Sequence, residues 1–292
     1  MTSYPNKLII FNMSKKGLVL EGGALRGLFT MGILDTLVEK GILFDGACGV
    51  SAGVAFGCNY KSKQIDRVLR YNQRFNKEWR YKGFRSLLLT GDLFGADFCY
   101  NKLPNELDRF DTEMFSSNPM DFWAVVSNCE TGEAEYHKLT DGGDKDSMWI
   151  RASASMPLAS RPVKIDGIRY LDGGLADSIP LKFMEEQGFD RNVVILTQPR
   201  GYIKKPYNRV LTVPLANMPE VCRLVRNRHE IYNAQTDYVK TRENEGKAFV
   251  LAPEMPLNIG SLERDPNEMK RVYDHGREVI NKRLAELTDY LK

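Results

Sequence analysis

Leu18, Val19 and Leu20 are consecutive apolar residues closed by Glu21-Gly22-Gly23. A short unbroken apolar run ended by turn residues predicts a strand buried on both faces. From Leu25 to Lys40 the apolar positions are 25, 28, 29, 33, 34, 37 and 38, and Gly41 follows. That spacing predicts a core-facing helix with a glycine stop. Phe44–Cys48 predicts a second strand, and Ser51 opens a second helix. Strands joined by a helix pair in parallel with a right-handed crossover, which implies a layered α/β sheet.

Further along, Phe122–Val126 and Asn192–Thr197 read as core strands, and His137-Lys138 falls in a short polar one. Val163–Ile165 and Ile168–Leu171 flank Asp166-Gly167, the dipeptide of a type I′ hairpin turn. Residues 61–120, charged and aromatic, predict helices and loops laid over the sheet. Residues 217–242 and 266–288 predict long helices. No internal repeat or low-complexity linker interrupts the chain, so one domain over 1–292 is expected. Its motif-bearing core runs from about 16 to 197, with a helical part from about 198 to 292.

The 292 residues, 42% hydrophobic, suffice for a core without disulfides or metal. A net charge of +3 lacks the dense basic face that nucleic acid requires, while a local patch for anionic lipid stays open. Five cysteines, Cys48, Cys58, Cys99, Cys129 and Cys222, form no C-x-x-C pair, which speaks against zinc or a disulfide framework and for a cytoplasmic chain. The apolar run Leu8–Phe11 is too short for a signal-peptide core, and no run of about 18 apolar residues predicts a membrane span. A lipid substrate would then be approached from water, with peripheral membrane contact.

Three glycine motifs carry the candidate chemistry. Gly49-Val50-Ser51-Ala52-Gly53 sits between a predicted strand and helix. A nucleophilic serine projects from a strained turn of that kind, so its neighbours two positions away must be small. The alternative is a glycine turn with a capping serine. Gly22-Gly23-Ala24-Leu25-Arg26-Gly27 again lies between strand and helix, where free amides point at an anion. A dinucleotide loop would need an acid ending the next strand, but Asp45 begins that strand. An oxyanion hole beside Ser51 fits better. Asp172-Gly173-Gly174 follows the hairpin and is either a plain turn or the partner that a serine hydroxyl needs.

Histidine is the usual base, and His137, His229 and His275 are the three available. The latter two follow Asp172, the chain order of α/β-hydrolases, yet each lies in a charged helical pattern and reads as a surface residue. Asp92, Asp97, Asp108 and Asp111 lack the glycine and glutamate spacing of a calcium loop, so no metal or other cofactor is expected.

Residues 18–27, Gly49–Gly53, Arg151–Pro157 and Asp172–Gly174 together resemble the patatin-like phospholipase family, in order and spacing, over about Lys16 to Thr197. The resemblance implies a three-layer sandwich with a mostly parallel central sheet. It implies a Ser51–Asp172 dyad without histidine, an oxyanion hole at Gly22–Gly27, and a fatty-acyl ester or phospholipid substrate. Family members usually carry glycine where this chain has Ala24, a residue that tolerates positive φ poorly. Leu87–Leu89 and Leu93-Phe94 suggest an apolar lid or acyl channel, or ordinary core. The competing classes are a histidine-dependent esterase, a non-enzymatic acyl-binding protein and, more remotely, a nucleotide-binding loop.

Overall fold

The computed structural model describes residues 14–292; the run Leu8–Phe11 lies outside the described residues. The first half of the chain contributes β1 (Lys16–Leu20), α1 (Gly27–Glu39), β2 (Gly46–Val50) and α2 (Ala52–Lys61). The helices α3 (Arg67–Arg74), α4 (Phe84–Thr90) and α5 (Thr112–Ser117) follow, with a π-type stretch, Phe98–Leu107, wound around Pro104. Next come β3 (Asp121–Asn128), β4 (Ala134–Leu139), α6 (Asp144–Ser153) and the hairpin β5 (Val163–Ile165) to β6 (Ile168–Asp172). The chain continues through α7 (Leu181–Glu186), β7 (Arg191–Ile195), α8 (Pro219–Asn244), β8 (Ala248–Leu251) and α9 (Pro266–Tyr290).

Among the described residues the strands form one sheet in the order β5-β6-β3-β2-β1-β7-β8, with β4 also on β3. The five strands from β3 to β8 in that order are parallel, whereas β4 and the β5–β6 hairpin are antiparallel. Alternate side chains serve opposite faces, as a pleated strand requires. Leu18 and Leu20 join a core with α1 and α9, while Val19 joins a second core with α7 and α8. Both faces are therefore covered. This is why the parallel strands are unbroken apolar runs rather than alternating ones.

The predicted hairpin is present, with Asp166 at φ +50° and Gly167 at φ +91°, both positive as a type I′ turn demands. The second strand begins two residues later than Phe44, because Asp45 instead binds the start of β1: its carboxylate accepts the Lys16 amide at 2.7 Å. β8, α6 and α7 were not anticipated. The C-terminal helices are closely joined to the rest. A Cβ on Gly32 of α1 would lie 2.0 Å from the Tyr273 carbonyl of α9, and one on Gly276 of α9 would lie 2.0 Å from the Phe29 carbonyl. Reciprocal glycines thus set a crossing too close for any side chain.

Candidate active site

The turn between β2 and α2 is strained at one residue. Ser51 has φ +55° and ψ −122°, a region that costs a non-glycine residue of order 1–3 kcal/mol. Its flanking glycines are required by contact. A Cβ at Gly49 would meet the Gly53 backbone at 2.7 Å, and one at Gly53 would meet the Leu20 carbonyl at 2.2 Å. The Ser51 amide donates to Ser153 Oγ of α6 at 2.9 Å, which fixes the turn from the side.

The strand β3 brings the second residue to the first. Val50 pairs with Val125, and Asp172 pairs with Val126, the next residue of the same strand. The hairpin therefore continues where β2 stops, and Ser51 and Asp172 meet at that junction. Asp172 is 4% exposed. Its amide donates to the Ser155 carbonyl at 2.8 Å, and its carboxylate accepts the Gly174 amide at 2.8 Å. Burial pushes the carboxyl above its ordinary range, while the Arg228 charge, the hydrogen-bonding Ser51 hydroxyl and the Gly174 amide pull it back down. Gly173 is needed for contact too, since a Cβ there would lie 2.2 Å from the Val125 carbonyl.

The loop Gly22–Gly27 lies directly on this turn. A Cβ at Gly22 would fall 2.8 Å from Ser51 Cβ. Gly23 has φ +157°, and Ala24 takes φ +50°, so the alanine occupies the left-handed region that glycine would enter freely. Gly22 and Gly23 donate their amides to no protein acceptor among the described residues. Leu25 is buried in the core, and Gly27 packs against Ala52 and Phe56 of α2.

Supporting residues that sequence reasoning missed come from distant segments. Buried Glu21 accepts the Thr197 amide at 2.6 Å and the Tyr232 hydroxyl at 2.8 Å. Thr197 Oγ1 in turn donates to the Gly22 carbonyl at 2.7 Å. Arg228 Nε donates to the Gly174 carbonyl at 2.9 Å. Three cations surround the loop: Arg26, whose buried Nε has no partner, Arg228, and Lys204, whose ammonium sits 4.3 Å over the Tyr232 ring. Their nearby acids are buried carboxylates, Asp172 for Arg228 and Glu21 for Arg26 and Lys204. Burial lowers the Lys204 pKa to about 8, with Arg228 and Arg26 pushing in the same direction.

From Ser51 an apolar cavity of about 180 Å³ runs beneath the inserted helices, past Phe56, Tyr71, Phe94, Leu103 and Ile150. Phe94 of the suggested lid lines it, whereas Leu88 and Leu89 face outward, 85% and 60% exposed. None of the three histidines lines this cavity or bonds to Ser51 or Asp172. His137 stacks on Trp149 with ring centres 3.4 Å apart and contacts Glu135. His229 contacts the Arg226 carbonyl, and His275 lies against Phe29. No cluster of three or more histidine, cysteine, aspartate or glutamate side chains able to hold a metal occurs among the described residues. No helix among them is long and apolar enough to cross a membrane.

The sequence profile described as patatin-like phospholipase matches residues 18–184, which contain all three glycine motifs and Asp172. The chain belongs to the patatin-like phospholipase family. By that membership it is a carboxylic ester hydrolase acting on lipid acyl esters. A second profile, described as a domain of unknown function (DUF6363), matches residues 218–292, the segment that supplies Arg228 and Tyr232 to this patatin-like site.

An Escherichia coli K12 relative, described as uncharacterized protein YjjU, is 28% identical over 288 residues, covering 94% of this chain and 78% of that protein. The lysophospholipases NTE1 of Candida glabrata and nte1 of Emericella nidulans are 29% and 30% identical over 179 and 185 residues. These matches cover 59% and 60% of this chain but 10% and 11% of those proteins, so the chain spans about a tenth of their length. Among solved structures, VipD from Legionella pneumophila aligns with a TM-score of 0.46 and 15% identity, over 95% of this chain and 67% of VipD. The type III effector ExoU aligns at 0.39 and 12%, over 94% of this chain and 53% of ExoU.

Proposed function

We propose that the protein hydrolyses fatty-acyl esters, glycerophospholipids among them, through a Ser51–Asp172 dyad and an oxyanion hole at Gly22–Gly27. The observation that carries this reading is the β3 register, in which Val50 and Asp172 pair with consecutive residues of that strand, next to Ser51, which lines the cavity. Ser51 Oγ attacks the ester carbonyl carbon while Asp172 accepts the hydroxyl proton. The loop amides receive the developing oxyanion, worth about 2.7–4 kcal/mol per donor. The carbonyl re-forms, the C–O bond to the alcohol breaks, and Asp172 returns the proton to the leaving alkoxide. Water, deprotonated by Asp172, then releases the fatty acid from the acyl-Ser51 intermediate.

An ordinary carboxylate, with a pKa of about 3.9, is a weak base for a hydroxyl. Burial of Asp172 raises its basicity, which favours this role. The cluster of three cations, Arg26, Lys204 and Arg228, beside the two buried carboxylates Glu21 and Asp172 favours an alcohol portion that carries an anion, such as a phosphate head group. The pairing of β8 with β7 and the α1–α9 crossing favour one folded unit over the described chain.

The test is an ester panel with wild type, Ser51→Ala and Asp172→Asn, each checked for folding, together with fluorophosphonate labelling. Both variants should lose nearly all turnover, and only proteins retaining Ser51 should label. Full activity in Asp172→Asn would remove the dyad, and unlabelled folded wild type would favour a non-enzymatic acyl-binding protein. Loss of activity on replacing His229 or His275 would point to a histidine-dependent esterase.

A further inference from the structure

Among the apolar side chains that the fold leaves in solvent, one group lies beside the candidate site. On α4, Phe84, Leu88 and Leu89 are 75%, 85% and 60% exposed, while Ser86 is buried and donates its hydroxyl to the Asp92 carbonyl at 2.8 Å. Phe84 and Leu88 are four positions apart and share a helix face. The turn at Leu158, 44% exposed, adds a fourth large apolar side chain, and its φ of +68° is a strained conformation for leucine.

Backbone bonds tie this patch to the cavity rim. The Gly83 amide donates to the Leu93 carbonyl at 2.8 Å, and the Leu93 amide donates to the Ala159 carbonyl at 2.7 Å. Phe94 and Ala159, the neighbours in these bonds, line the Ser51 cavity and are themselves partly exposed. The apolar patch on α4 and the Leu158 turn are therefore tied by the backbone to the segments that line the cavity.

The charge on these segments is mostly positive. Residues 79–96 and 156–161 hold Arg80, Lys82, Arg85 and Arg161 against a single acid, Asp92, which is 2% exposed. Of these cations Lys82 is buried, Arg80 is held by Glu78 and Arg161 is bridged to Asp92 at 3.7 Å, which leaves Arg85 without an acidic partner among the described residues. Arg161 has a 65% exposed side chain, and Arg85 packs over half-buried Trp79 at 4.6 Å from the ring centre. Outward apolar side chains, an aromatic at the edge and exposed arginines that outnumber the acids match the interface of an anionic bilayer.

We propose that α4 and the Leu158 turn dock the protein onto an anionic lipid surface, with the mouth of the Ser51 cavity facing the bilayer. The proposal rests on the lipid-hydrolase reading of that cavity, since docking there delivers an acyl chain to Ser51 without passage through water.

The experiment is co-sedimentation of the full chain with phosphatidylcholine vesicles, with and without phosphatidylglycerol, alongside hydrolysis of a short-chain water-soluble ester. Wild type and Ser51→Ala should bind the anionic vesicles alike and more strongly than neutral ones. Leu88→Ser/Leu89→Ser should lower vesicle binding at least tenfold, and Arg85→Glu should lower it on anionic vesicles only. Both variants should hydrolyse the soluble ester at the wild-type rate, which also shows that they fold. Equal vesicle binding by the double variant and wild type, or no binding by wild type, would overturn the docking surface. So would concentration-dependent self-association of wild type that the double variant abolishes, because the patch would then be a contact between copies. Vesicle binding without hydrolysis of any ester would support the docking surface and sink the hydrolase reading.

Discussion

Tyr232 donates its hydroxyl to Glu21 at 2.8 Å, across 211 positions of the chain. The bond joins the long C-terminal helix α8 to the residue that precedes the glycine loop. Burial raises the Glu21 pKa, and the Tyr232 and Thr197 donors offset part of that rise. Removing one donor leaves a buried carboxyl oxygen without a partner.

Tyr232→Phe should therefore destabilise the fold by about 1–3 kcal/mol, the usual cost of an unsatisfied buried acceptor. It should also lower kcat, because Thr197 connects Glu21 to the Gly22 carbonyl. Urea denaturation and ester turnover measure the two effects. A variant with unchanged midpoint and unchanged kcat would show that this contact does not brace the loop.

Arg228 is the strongest influence holding the Asp172 pKa down against burial. With Asp172 acting as base, kcat/KM falls as pH drops through its pKa, so the acid limb should lie above the ordinary carboxylate range. Arg228→Met removes the favourable charge, disfavours the carboxylate and should move the acid limb to higher pH. Arg228→Lys keeps a charge and should restore most of the shift. An acid limb that stays in place in Arg228→Met would separate Asp172 from the rate-determining ionisation.

Asp35 on α1 is 1% exposed and accepts the Asp66 amide at 2.9 Å and the Tyr273 hydroxyl at 2.8 Å. Burial raises its pKa from 3.8 to about 6. A raised folded-state pKa means the folded protein holds the proton longer than the unfolded chain does. The associated stability is present below about pH 4 and is lost as pH rises through about 6. The loss amounts to about 3 kcal/mol at 1.36 kcal/mol per pKa unit. Asp35→Asn keeps an acceptor without the charge. The stability difference between variant and wild type should shift in the variant's favour between pH 4 and pH 7. Denaturant midpoints at several pH values check this, and a difference independent of pH would contradict it.

The first sheet strands, the crossover helix, the Asp166-Gly167 hairpin and both long C-terminal helices were legible in the chain because each rests on local periodicity or turn chemistry. Gly49, Gly53, Gly22 and Gly173 were legible as well, since a close backbone approach accepts no other residue. β8 was missed because four apolar residues between helices carry no period of their own. Arg228, Tyr232 and Glu21 were missed because their partners are far away in sequence, and nothing in Arg226–Glu230 marks one arginine as different. Leu88 and Leu89 were readable as apolar but not as exposed, because hydrophobicity alone does not say which side of a short helix has neighbours.

The sequence by itself determined the class of fold, the strained serine turn and the glycine loop, since local backbone sterics demand those residues wherever the chain goes. Only the tertiary structure decided that Asp172 faces Ser51. That meeting depends on β6 pairing with β3 just beyond the end of β2, a long-range register that no local pattern encodes. It also decided that a helix from the C-terminal quarter supplies the charge beside Asp172. Packing α8 against the second face of the sheet brings Arg228 there, and burial makes that charge matter.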